Sequence, residues 1–430
     1  MHRIPYGKTS LEFSLPESMR ADTVKAREAA PLPDLGKAVQ SALANPVGSR
    51  PLRELVKPGD RVCIVFTDMT RSSPDHVLVP ALLKEVESAG VTRQSITLLC
   101  GTGLHRPSTG EEKAAKLGQE VLRQYRVVDH DARDPHTLVD LGKTGSGIPL
   151  SVNRLAFEAD LLMATGIVEP HQYAGYSGGG KTVAIGAGGE PLITSTHGPE
   201  MVDHPGTRLG KISGNPFRLA VNEAARLAGL RFVINVVQDE EKRPIAVFAG
   251  ETEAAFETCV ETARRLFEIP IFRQYDVAVA GVGYPKDVNL YQASRAVSYL
   301  FFAPTCVVKE GGVFILPATT PEGAGDGPGE RRFFEKMRSS TDMTSLLAQL
   351  RRTGYPPGAQ RAFIMAKVLE KHPVIVVGSE TPEVVRQLKM IPASDMDEAF
   401  RTAAALMGRN DLDVLIVPHA LLTLPIVKQV

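Results

Sequence analysis

The chain carries short apolar runs, most of which end in Gly, Asp or Thr and precede a stretch with helical spacing. Runs of this kind are typical of strands that are buried on both faces of a parallel sheet. The pattern therefore predicts an α/β fold with mainly parallel sheets. The predicted strands span residues 61–66, 95–100, 159–164, 232–237, 276–280, 312–316, 374–377 and 412–417. Helical spacing marks residues 74–89, 109–125 and 251–267.

A boundary between two domains is predicted near residue 270. The helix-like stretch 251–267 ends there, and IPIFRQYDVAVAGVGYP opens a new strand and a glycine turn. A chain of 430 residues is long enough for two large domains, which cover residues 1–270 and 271–430. The Pro- and Gly-rich segment 318–330 predicts a long loop at the C-terminal end of a strand.

The charge balance argues against nucleic acid and membrane partners. Lys plus Arg and Asp plus Glu each number 49, so the chain has no basic field for an anionic polymer or surface. No run of about 18 apolar residues is long enough to span a bilayer, and the start lacks the apolar segment of a signal peptide. The four cysteines form no CxxC pair and are expected to be buried thiols in a reducing cytoplasm.

The most informative segment runs from residue 166 to 198 and is dense in glycine. Within it, Gly175–Thr182 reads G-x-x-x-x-G-K-T, which formally matches the phosphate loop of nucleoside triphosphatases. That loop should follow a strand directly and open a regular helix, whereas residues 168–174 intervene here. A hydrolase or kinase that uses this loop, with Asp68 as its magnesium ligand, is one alternative. A purely structural turn with an exposed Lys181 is another.

Two histidines follow the C-terminal ends of predicted strands, His105 in GTGLHRPST and His171 in EPHQYAG. The shared edge of a parallel sheet would bring them together. Imidazole has a reference pKa near working pH, so the pair suits general acid and base roles. His197, in TSTHG, also stands in an unusual loop setting. Each histidine alone is more often a surface or hydrogen-bonded loop residue than a catalyst.

Polar residues beside two other predicted strands are further candidates. Asp68 and Arg71, in FTDMTRSSP, read either as a helix start or as a site where Arg71 binds a carboxylate or phosphate. In the second domain, Gln292 and Arg295 of YQASRA lie three positions apart. This spacing puts them on one face of a helix near its start.

Four motifs in this order resemble the lactate racemase family: DMTR (68–71), GTGLHRP (101–107), EPHQYAGYSGGGKT (169–182) and STHG (195–198). The resemblance implies two α/β domains that enclose an active-site cleft, with cofactor binding and catalysis in the N-terminal one. It also implies racemisation or epimerisation of a small-molecule 2-hydroxy acid. The implied cofactor is a nickel-pincer nucleotide, a pyridinium-3-thioamide-5-thiocarboxylic acid mononucleotide that holds Ni and is supplied by cofactor-synthesis proteins.

The resemblance assigns a role to each candidate residue. Lys181 is the lysine that joins the cofactor as a thioamide, and His197 takes the fourth nickel position. His105 and His171 are the catalytic pair. One takes the hydroxyl proton as hydride leaves C2 for the pyridinium, and the other supplies a proton after hydride returns to the opposite face. The implied substrate-binding residues are Arg71, Gln292 and Arg295, and the remaining cofactor-binding residues are Asp68, Ser177, Gly178, Gly179 and Gly180.

Arg295 departs from the family pattern, which has a lysine at this position in the lactate-acting members. The planar fork of arginine favours bidentate binding of a carboxylate or diol. We therefore expect a 2-hydroxy acid larger than lactate, such as a dicarboxylic, aryl-bearing or sugar acid. A cofactor carrier without turnover is a further alternative, although it leaves two bases and Arg71 without a task.

Overall fold

The computed structural model describes residues 1–428, in which strands and helices alternate as in an α/β protein. The strands are β1 (His2–Tyr6), β2 (Thr9–Phe13), β3 (Arg20–Thr23), β4 (Val62–Thr67), β5 (Ile96–Gly101), β6 (Arg126–Asp129), β7 (Leu138–Lys143), β8 (Pro149–Asn153), β9 (Leu161–Ile167), β10 (Pro170–His171), β11 (Gly175–Tyr176), β12 (Leu230–Gln238), β13 (Pro244–Gly250), β14 (Glu268–Ile271), β15 (Tyr275–Ala280), β16 (Val308–Pro317), β17 (Val374–Val377), β18 (Ile391–Ala393), β19 (Asp413–Val417) and β20 (Leu424–Val427). The helices are α1 (Leu35–Ala44), α2 (Asp75–Ser88), α3 (Gly110–Leu117), α4 (Gln119–Gln124), α5 (Arg154–Phe157), α6 (Lys181–Ala184), α7 (Glu190–Thr196), α8 (Pro199–Asp203), α9 (Pro216–Leu227), α10 (Thr252–Phe267), α11 (Leu290–Phe301), α12 (Pro328–Ser339), α13 (Met343–Thr353), α14 (Gln360–Leu369), α15 (Pro382–Gln387) and α16 (Met396–Met407).

The chain forms two compact units, and neither is one contiguous segment. The N-terminal unit comprises Glu28–His197 and Ile212–Leu266, and the C-terminal unit comprises Met1–Arg27, Gly198–Lys211 and Phe267–Val430. The units therefore differ from a division at residue 270, because the first strands of the chain belong with the C-terminal unit. Strand β3 pairs in parallel with β19 and thereby extends the C-terminal sheet.

The N-terminal unit is built on a six-stranded sheet of order β13-β12-β9-β4-β5-β6. All neighbouring strands are parallel except β13, which is antiparallel to β12. Every residue of β4 is buried, as expected for a strand that is covered on both faces. The chain continues from β4 to β5 and β6 on one side and from β9 to β12 on the other. The C-terminal ends of β4 and β9 therefore form a topological switch point, where open α/β sheets bind ligands.

The C-terminal unit contains a parallel six-stranded sheet of order β18-β17-β16-β15-β19-β3. The chain moves from β15 through β18 on one side, while β19 lies on the other side of β15. Helix α11 follows β15 and so begins at the switch point of this sheet. The predicted loop after β16 is present as far as Gly327, and α12 then begins at Pro328, a residue suited to the first helical position.

The predicted α/β class and all eight predicted strands are confirmed, with ends that differ by a few residues. The predicted helix over 109–125 is instead two helices, α3 and α4. Gly118 separates them with a φ of 85°, a conformation that a helix interior does not contain. The N-terminal hairpin of β1 and β2 and the ladder of β7 and β8 were not predicted.

The four cysteines are free thiols, of which Cys63, Cys100 and Cys259 are buried and Cys306 is partly exposed. Burial raises the pKa of the Cys63 and Cys100 thiols to about 12, so both stay protonated at neutral pH. A search of residues 1–428 finds no helix with the length and apolar character needed to cross a membrane.

Candidate active site

The loops after β4 and β5 meet at an aspartate–histidine pair. Nδ1 of His105 lies 2.6 Å from one carboxylate oxygen of Asp68, and the other oxygen accepts hydrogen bonds from the N–H and hydroxyl of Thr70. Burial raises the pKa of Asp68, but the hydrogen bonds from His105 and Thr70 outweigh this and hold it below its usual value. Ionised Asp68 therefore accepts a hydrogen bond from Nδ1–H. This partner assigns the proton of neutral His105 to Nδ1 and its lone pair to Nε2.

Arg71 lies in the same loop as Asp68 and faces the segment that follows β9. Its Nη1 is 3.6 Å from Oε1 of Glu169, and the two side chains are 34% and 29% exposed. Guanidinium carries several N–H donors in a planar fork, so one long contact leaves Arg71 able to bind a further carboxylate. The partial exposure makes the fork accessible to a small molecule.

His171 is held in a different way, at the end of the short strand β10. Its Nδ1 accepts hydrogen bonds from the backbone N–H groups of Tyr173, at 3.3 Å, and Ala174, at 3.2 Å. These donors assign the proton of neutral His171 to Nε2. The side chain is buried, whereas that of His105 is 58% exposed. The two histidines thus carry opposite tautomers, because His105 presents a lone pair at Nε2 and His171 presents an N–H.

His197 follows α7 and packs against aromatic rings. Its Nδ1 lies 2.9 Å from the carbonyl oxygen of Ile193, and its ring makes edge contacts with Tyr173 and Phe217 at 5.0 and 5.1 Å. The carbonyl accepts the Nδ1 proton, which leaves the lone pair on Nε2. Burial lowers the pKa of His197 to about 4, so the ring is neutral at physiological pH. A neutral imidazole nitrogen of this kind is a suitable ligand for nickel.

Lys181 opens α6 in an environment that disfavours its charge. Burial lowers its pKa well below the usual range, and the positive charges of Arg71 and Arg218 lower it further, against the opposing effect of Glu169 and Asp68. Among residues 1–428, no carboxylate forms an ion pair with its ammonium group. The neutral amine, which is the form that reacts with an acyl group, is therefore reached at a lower pH than in an exposed lysine.

Arg218, on the first turn of α9, holds the segment between His171 and Lys181. It is only 1% exposed. Its guanidinium donates hydrogen bonds to the backbone carbonyls of Ala174, Tyr176 and Gly178. A buried arginine that bonds three carbonyls fixes the path of the chain that carries both functional side chains.

Ser177 closes the base of the hairpin formed by β10 and β11. Its hydroxyl donates to the carbonyl of Ile167 at 2.8 Å and accepts the N–H of Glu169 at 3.1 Å. These bonds join the end of β9 to the start of the glycine-rich loop. Ser177 therefore helps to place Glu169, His171 and Lys181 relative to the sheet.

The glycines after Ser177 allow close packing within the protein. A Cβ on Gly178 would lie 2.6 Å from Oδ1 of Asn235, and one on Gly180 would lie 2.5 Å from Cβ of Ala225. Gly178 also has a φ of 83°, which L side chains rarely adopt. Glycine is thus required here by the neighbouring strand and helix.

The groups that bind a triphosphate in a phosphate loop have other partners in this chain. The N–H of Gly179 donates to Oδ1 of Asn235 at 3.0 Å, and the hydroxyl of Thr182 donates to the carbonyl of Thr165 at 2.8 Å. Helix α6 has only four residues, where a phosphate loop opens a regular helix. These contacts favour a structural loop that presents Lys181 over a hydrolase loop.

Gln292 and Arg295 lie on the first turns of α11 in the C-terminal unit, as their spacing predicts. Asn289 caps this helix by accepting the N–H of Gln292, and Nη1 of Arg295 donates to Oε1 of Gln292 at 3.4 Å. In the described chain, Nε of Arg295 is buried without a hydrogen-bond partner. The structure brings these two side chains together, and it places the other ten candidate residues in the N-terminal unit.

The site also contains residues that sequence reasoning missed, and they share one property: each acts through contacts with chain segments far away in sequence. Glu169 and Tyr173 stand inside a recognised motif, so their motif could have identified them. In NPFR (215–218), the N-cap Asn215 and the following proline signal the start of a helix, but they do not indicate that Arg218 is buried. The missed residues are Asp75, Lys116, Glu169, Tyr173, Phe217 and Arg218.

The side chains fit a metal that receives most of its ligands from a cofactor. Throughout residues 1–428, no three His, Cys, Asp or Glu side chains are grouped to hold a metal ion. His197 carries its lone pair on Nε2 of a neutral ring, and Lys181 lies in the same unit with a lowered pKa. A nickel complex that is attached through a lysine and completed by one imidazole matches this pair.

Comparison with known proteins gives matches across the whole chain. A family model described as the lactate racemase N-terminal domain matches residues 6–210, and one described as the lactate racemase C-terminal domain matches residues 273–424. A lactate racemase of Thermoanaerobacterium thermosaccharolyticum is 32% identical over 418 residues, which are 96% of each chain. A lactate racemase of Lactiplantibacillus plantarum is 33% identical over 425 residues, 97% of this chain and 98% of that one.

Solved structures give the same result. The lactate racemase apoprotein from T. thermosaccharolyticum aligns with a TM-score of 0.87 and 31% identity over 99% of both chains. A Thermotoga maritima protein shares the fold, with a TM-score of 0.66 and 21% identity over 91% of this chain and 98% of that one. The two-unit α/β fold and these relatives define an isomerase. The chain belongs to the lactate racemase family, and it is a racemase of that type.

Proposed function

We propose that this racemase inverts C2 of a 2-hydroxy acid with the help of a nickel-pincer nucleotide. The observation that carries the proposal is the pair of oppositely protonated histidines in the loops after β5 and β9, in the same unit as Lys181 and His197. The Arg71–Glu169 contact and the electrostatic influence of Arg71 and Asp68 on Lys181 link these loops. The loops that carry Arg71, His105 and Glu169 follow the C-terminal ends of β4, β5 and β9, at or next to the switch point of the sheet.

In this proposal Lys181 and His197 hold the cofactor. The amine of Lys181 would be joined to the cofactor as a thioamide, and Nε2 of His197 would bind nickel. Asp68, Ser177 and the glycines at 178–180 lie beside the nucleotide. Bound there, the cofactor supplies an electron-poor pyridinium carbon that accepts hydride from C2 of the substrate.

The chain's own side chains move the proton. Arg71 binds the substrate carboxylate through its planar fork. Nε2 of His105 accepts the hydroxyl proton of one isomer, and Asp68 stabilises the imidazolium that results. His171 donates its Nε2 proton to the oxygen of the other isomer from the imidazolium form, so that loss of the proton leaves a neutral ring. Inversion requires a proton carrier on each side of the substrate, which is why two histidines are needed.

We further propose that the substrate is larger than lactate. Support comes from Arg295, whose Nε is buried without a partner in the described chain and whose side chain contacts Gln292. A guanidinium with unused donors favours a second carboxylate or a diol on the substrate. Gln292 and Arg295 are the proposed substrate-binding residues of the C-terminal unit.

Loading of the cofactor requires partners of a defined kind. Proteins that synthesise the nucleotide and insert nickel must deliver it to Lys181. The four free thiols are compatible with a reducing cytoplasm as the place where this happens.

The cofactor assignment is tested by mass and metal analysis. The chain is co-expressed with cofactor-synthesis proteins, and its intact mass and nickel content are measured. Wild type should carry an adduct and nickel, Lys181→Ala should lack the adduct, and His197→Ala should lose nickel. An active protein with unmodified Lys181 overturns the covalent attachment, and full nickel content in His197→Ala overturns the ligand assignment.

The substrate class is tested by inversion at C2. Loaded protein is incubated in D₂O with lactate, malate, an aryl-bearing 2-hydroxy acid and a sugar acid, and both inversion and the deuterium content at C2 are followed. Hydride transfer returns the same hydrogen to C2, so inversion should occur with little deuterium uptake, whereas uptake that keeps pace with inversion would indicate proton abstraction instead. Inversion of one of the larger acids in preference to lactate supports the proposal. Adduct and nickel without turnover support a cofactor carrier, and magnesium-dependent triphosphate binding without an adduct supports a hydrolase.

A further inference from the structure

We propose that Lys116, paired with Asp75, is a positioning residue that sets the place of Arg71 and thereby the affinity for the substrate carboxylate. This inference rests on the proposed function, because it takes Arg71 as the carboxylate-binding residue. Neither Lys116 nor Asp75 belongs to the motifs that the family resemblance uses.

Lys116 connects the loop after β4 with the helix that follows the loop after β5. It lies on α3, the helix that follows the His105 loop, and its side chain is only 6% exposed. Its ammonium group donates to the backbone carbonyl of Arg71 at 3.1 Å and to that of Ser73 at 2.9 Å. One side chain therefore ties the helix after His105 to the backbone of the residue that faces the substrate.

Asp75 holds Lys116 in place and is fully buried. Its Oδ2 lies 2.7 Å from the ammonium group of Lys116 and accepts the hydroxyl of Thr67 at 2.9 Å. Its Oδ1 accepts the hydroxyls of Ser73 at 2.9 Å and Thr165 at 2.6 Å. Because Thr67 ends β4 and Thr165 lies near the end of β9, the carboxylate joins the two strands at the switch point.

A buried ion pair is a costly way to stabilise a fold, since apolar residues of similar size serve as well or better. The contacts of the Lys116–Asp75 pair, however, lie in one region of the protein. The acceptors for all three protons of the ammonium group lie within the loop that carries Arg71 or next to it. Its specific effect is to fix the backbone of Arg71 relative to β4 and β9, which carry the rest of the site. We therefore expect its loss to weaken substrate binding more than the chemical step.

The test is a double-mutant cycle between Lys116→Met and Arg71→Ala in cofactor-loaded protein, with inversion of L-lactate, L-malate, an aryl-bearing 2-hydroxy acid and a sugar acid as the assay. Lys116→Met should raise KM at least tenfold and change kcat per nickel less than threefold. In the Arg71→Ala background it should leave KM unchanged, because the residue through which it acts is absent. Damage to the fold alone lowers the loaded fraction, which leaves KM unchanged.

Two further variants keep the test decisive. Asp75→Asn with Lys116→Met removes both charges, so no unpaired carboxylate is buried, and it should raise KM as the single variant does. Lys113→Met, on the same helix, removes the ion pair with Asp129 and should leave KM unchanged. An unchanged KM in both Lys116 variants, or additive effects of Lys116→Met and Arg71→Ala, overturns this inference. An unchanged KM in Arg71→Ala, or no turnover by the wild type, overturns the proposed function as well.

Discussion

Two sides of the candidate site hold their functional groups by different means. On the Asp68–His105 side, an exposed imidazole is held by a charged carboxylate. On the His171–Lys181 side, the histidine is buried and held by backbone N–H groups, and Arg218 fixes the following backbone carbonyls. The first side depends on a buried charge that holds an imidazole exposed to water. The second depends on the exact course of the main chain, which burial protects from solvent.

This difference has a chemical consequence. His105 can gain a proton at Nε2 without losing Asp68, because the imidazolium still donates from Nδ1. His171 cannot become doubly protonated without breaking its contacts with the N–H groups of Tyr173 and Ala174, because both would then face another donor. The two substrates of a racemase are mirror images of each other, but the two proposed proton carriers differ in burial and in hydrogen bonding. Variants on each side should therefore differ in their effects on turnover and stability.

The largest effect is expected from removing either imidazole. His105→Ala and His171→Ala should each lower turnover in both directions by about 100- to 10,000-fold, because each inversion needs both proton carriers. Initial rates from each isomer, measured by chiral chromatography in protein with normal adduct and nickel content, check this. Release of a 2-keto acid from only one isomer in a given variant would support roles on opposite faces. Near wild-type rates in both variants would show that the pair is structural.

The next effect is on the stability of the buried side. Arg218→Met removes the donors of three buried carbonyl groups and should lower the free energy of unfolding by roughly 3 kcal/mol or more. Urea titration of the apoprotein measures it. Arg386→Met is a matched control, since this exposed arginine pairs with the exposed Glu383 at the surface and should cost less than about 1 kcal/mol. Equal losses in the two variants would contradict the role given to Arg218.

A smaller effect, confined to the exposed side, is expected from Asp68→Asn. The amide lacks the charge that stabilises the imidazolium of His105, so turnover should fall by about 10- to 100-fold. The same substitution should have no further effect in His105→Ala, while in His171→Ala it should still lower residual turnover. Equal effects in both backgrounds would mean that Asp68 acts on the whole site rather than through His105.

The smallest change concerns the reactivity of Lys181. Since burial and then Arg71 and Arg218 lower its pKa, its amine is neutral at a lower pH than an exposed lysine and should be acetylated there first. Labelling the apoprotein with limiting acetic anhydride across pH, with peptide mass analysis and exposed Lys37 as reference, gives the two profiles. Arg71→Met should move the Lys181 profile to higher pH. Coincident profiles for Lys181 and Lys37 would contradict the lowered pKa.

The sheets were predictable because their strands are buried on both faces, and burial leaves a continuous apolar run in the sequence. The break between α3 and α4 at Gly118 and the pairing of β3 with β19 were not predictable from apolar runs. A glycine inside a helical pattern is often tolerated, and β3 is a polar four-residue strand with little burial. Strand β3 is positioned by pairing with β19, at the edge of a sheet that is formed by residues from the other end of the chain.

For the site, the sequence singled out the side chains that we propose to meet a ligand, since most of them lie in motifs that follow predicted strands. It did not identify the groups that determine their protonation. The tautomers of His105 and His171 depend on a carboxylate 37 residues away in one case and on a local turn in the other. Arg218 and Lys116 act through backbone carbonyls, and carbonyl groups carry no sequence signal.

The pairing of β3 with β19 also determines when the C-terminal unit is completed. Arg20 pairs with Asp413, which is synthesised 393 residues later. At about 5–20 residues per second, the first strand waits roughly 20–80 s on the ribosome before its neighbour emerges. During that time β3 is an unpaired edge, and its brevity and its charged Arg20 and Asp22 protect it from wrong partners. A fragment that begins after residue 27 would leave β19 at the edge of the sheet, so the start of the chain completes a sheet whose other strands all lie after residue 274.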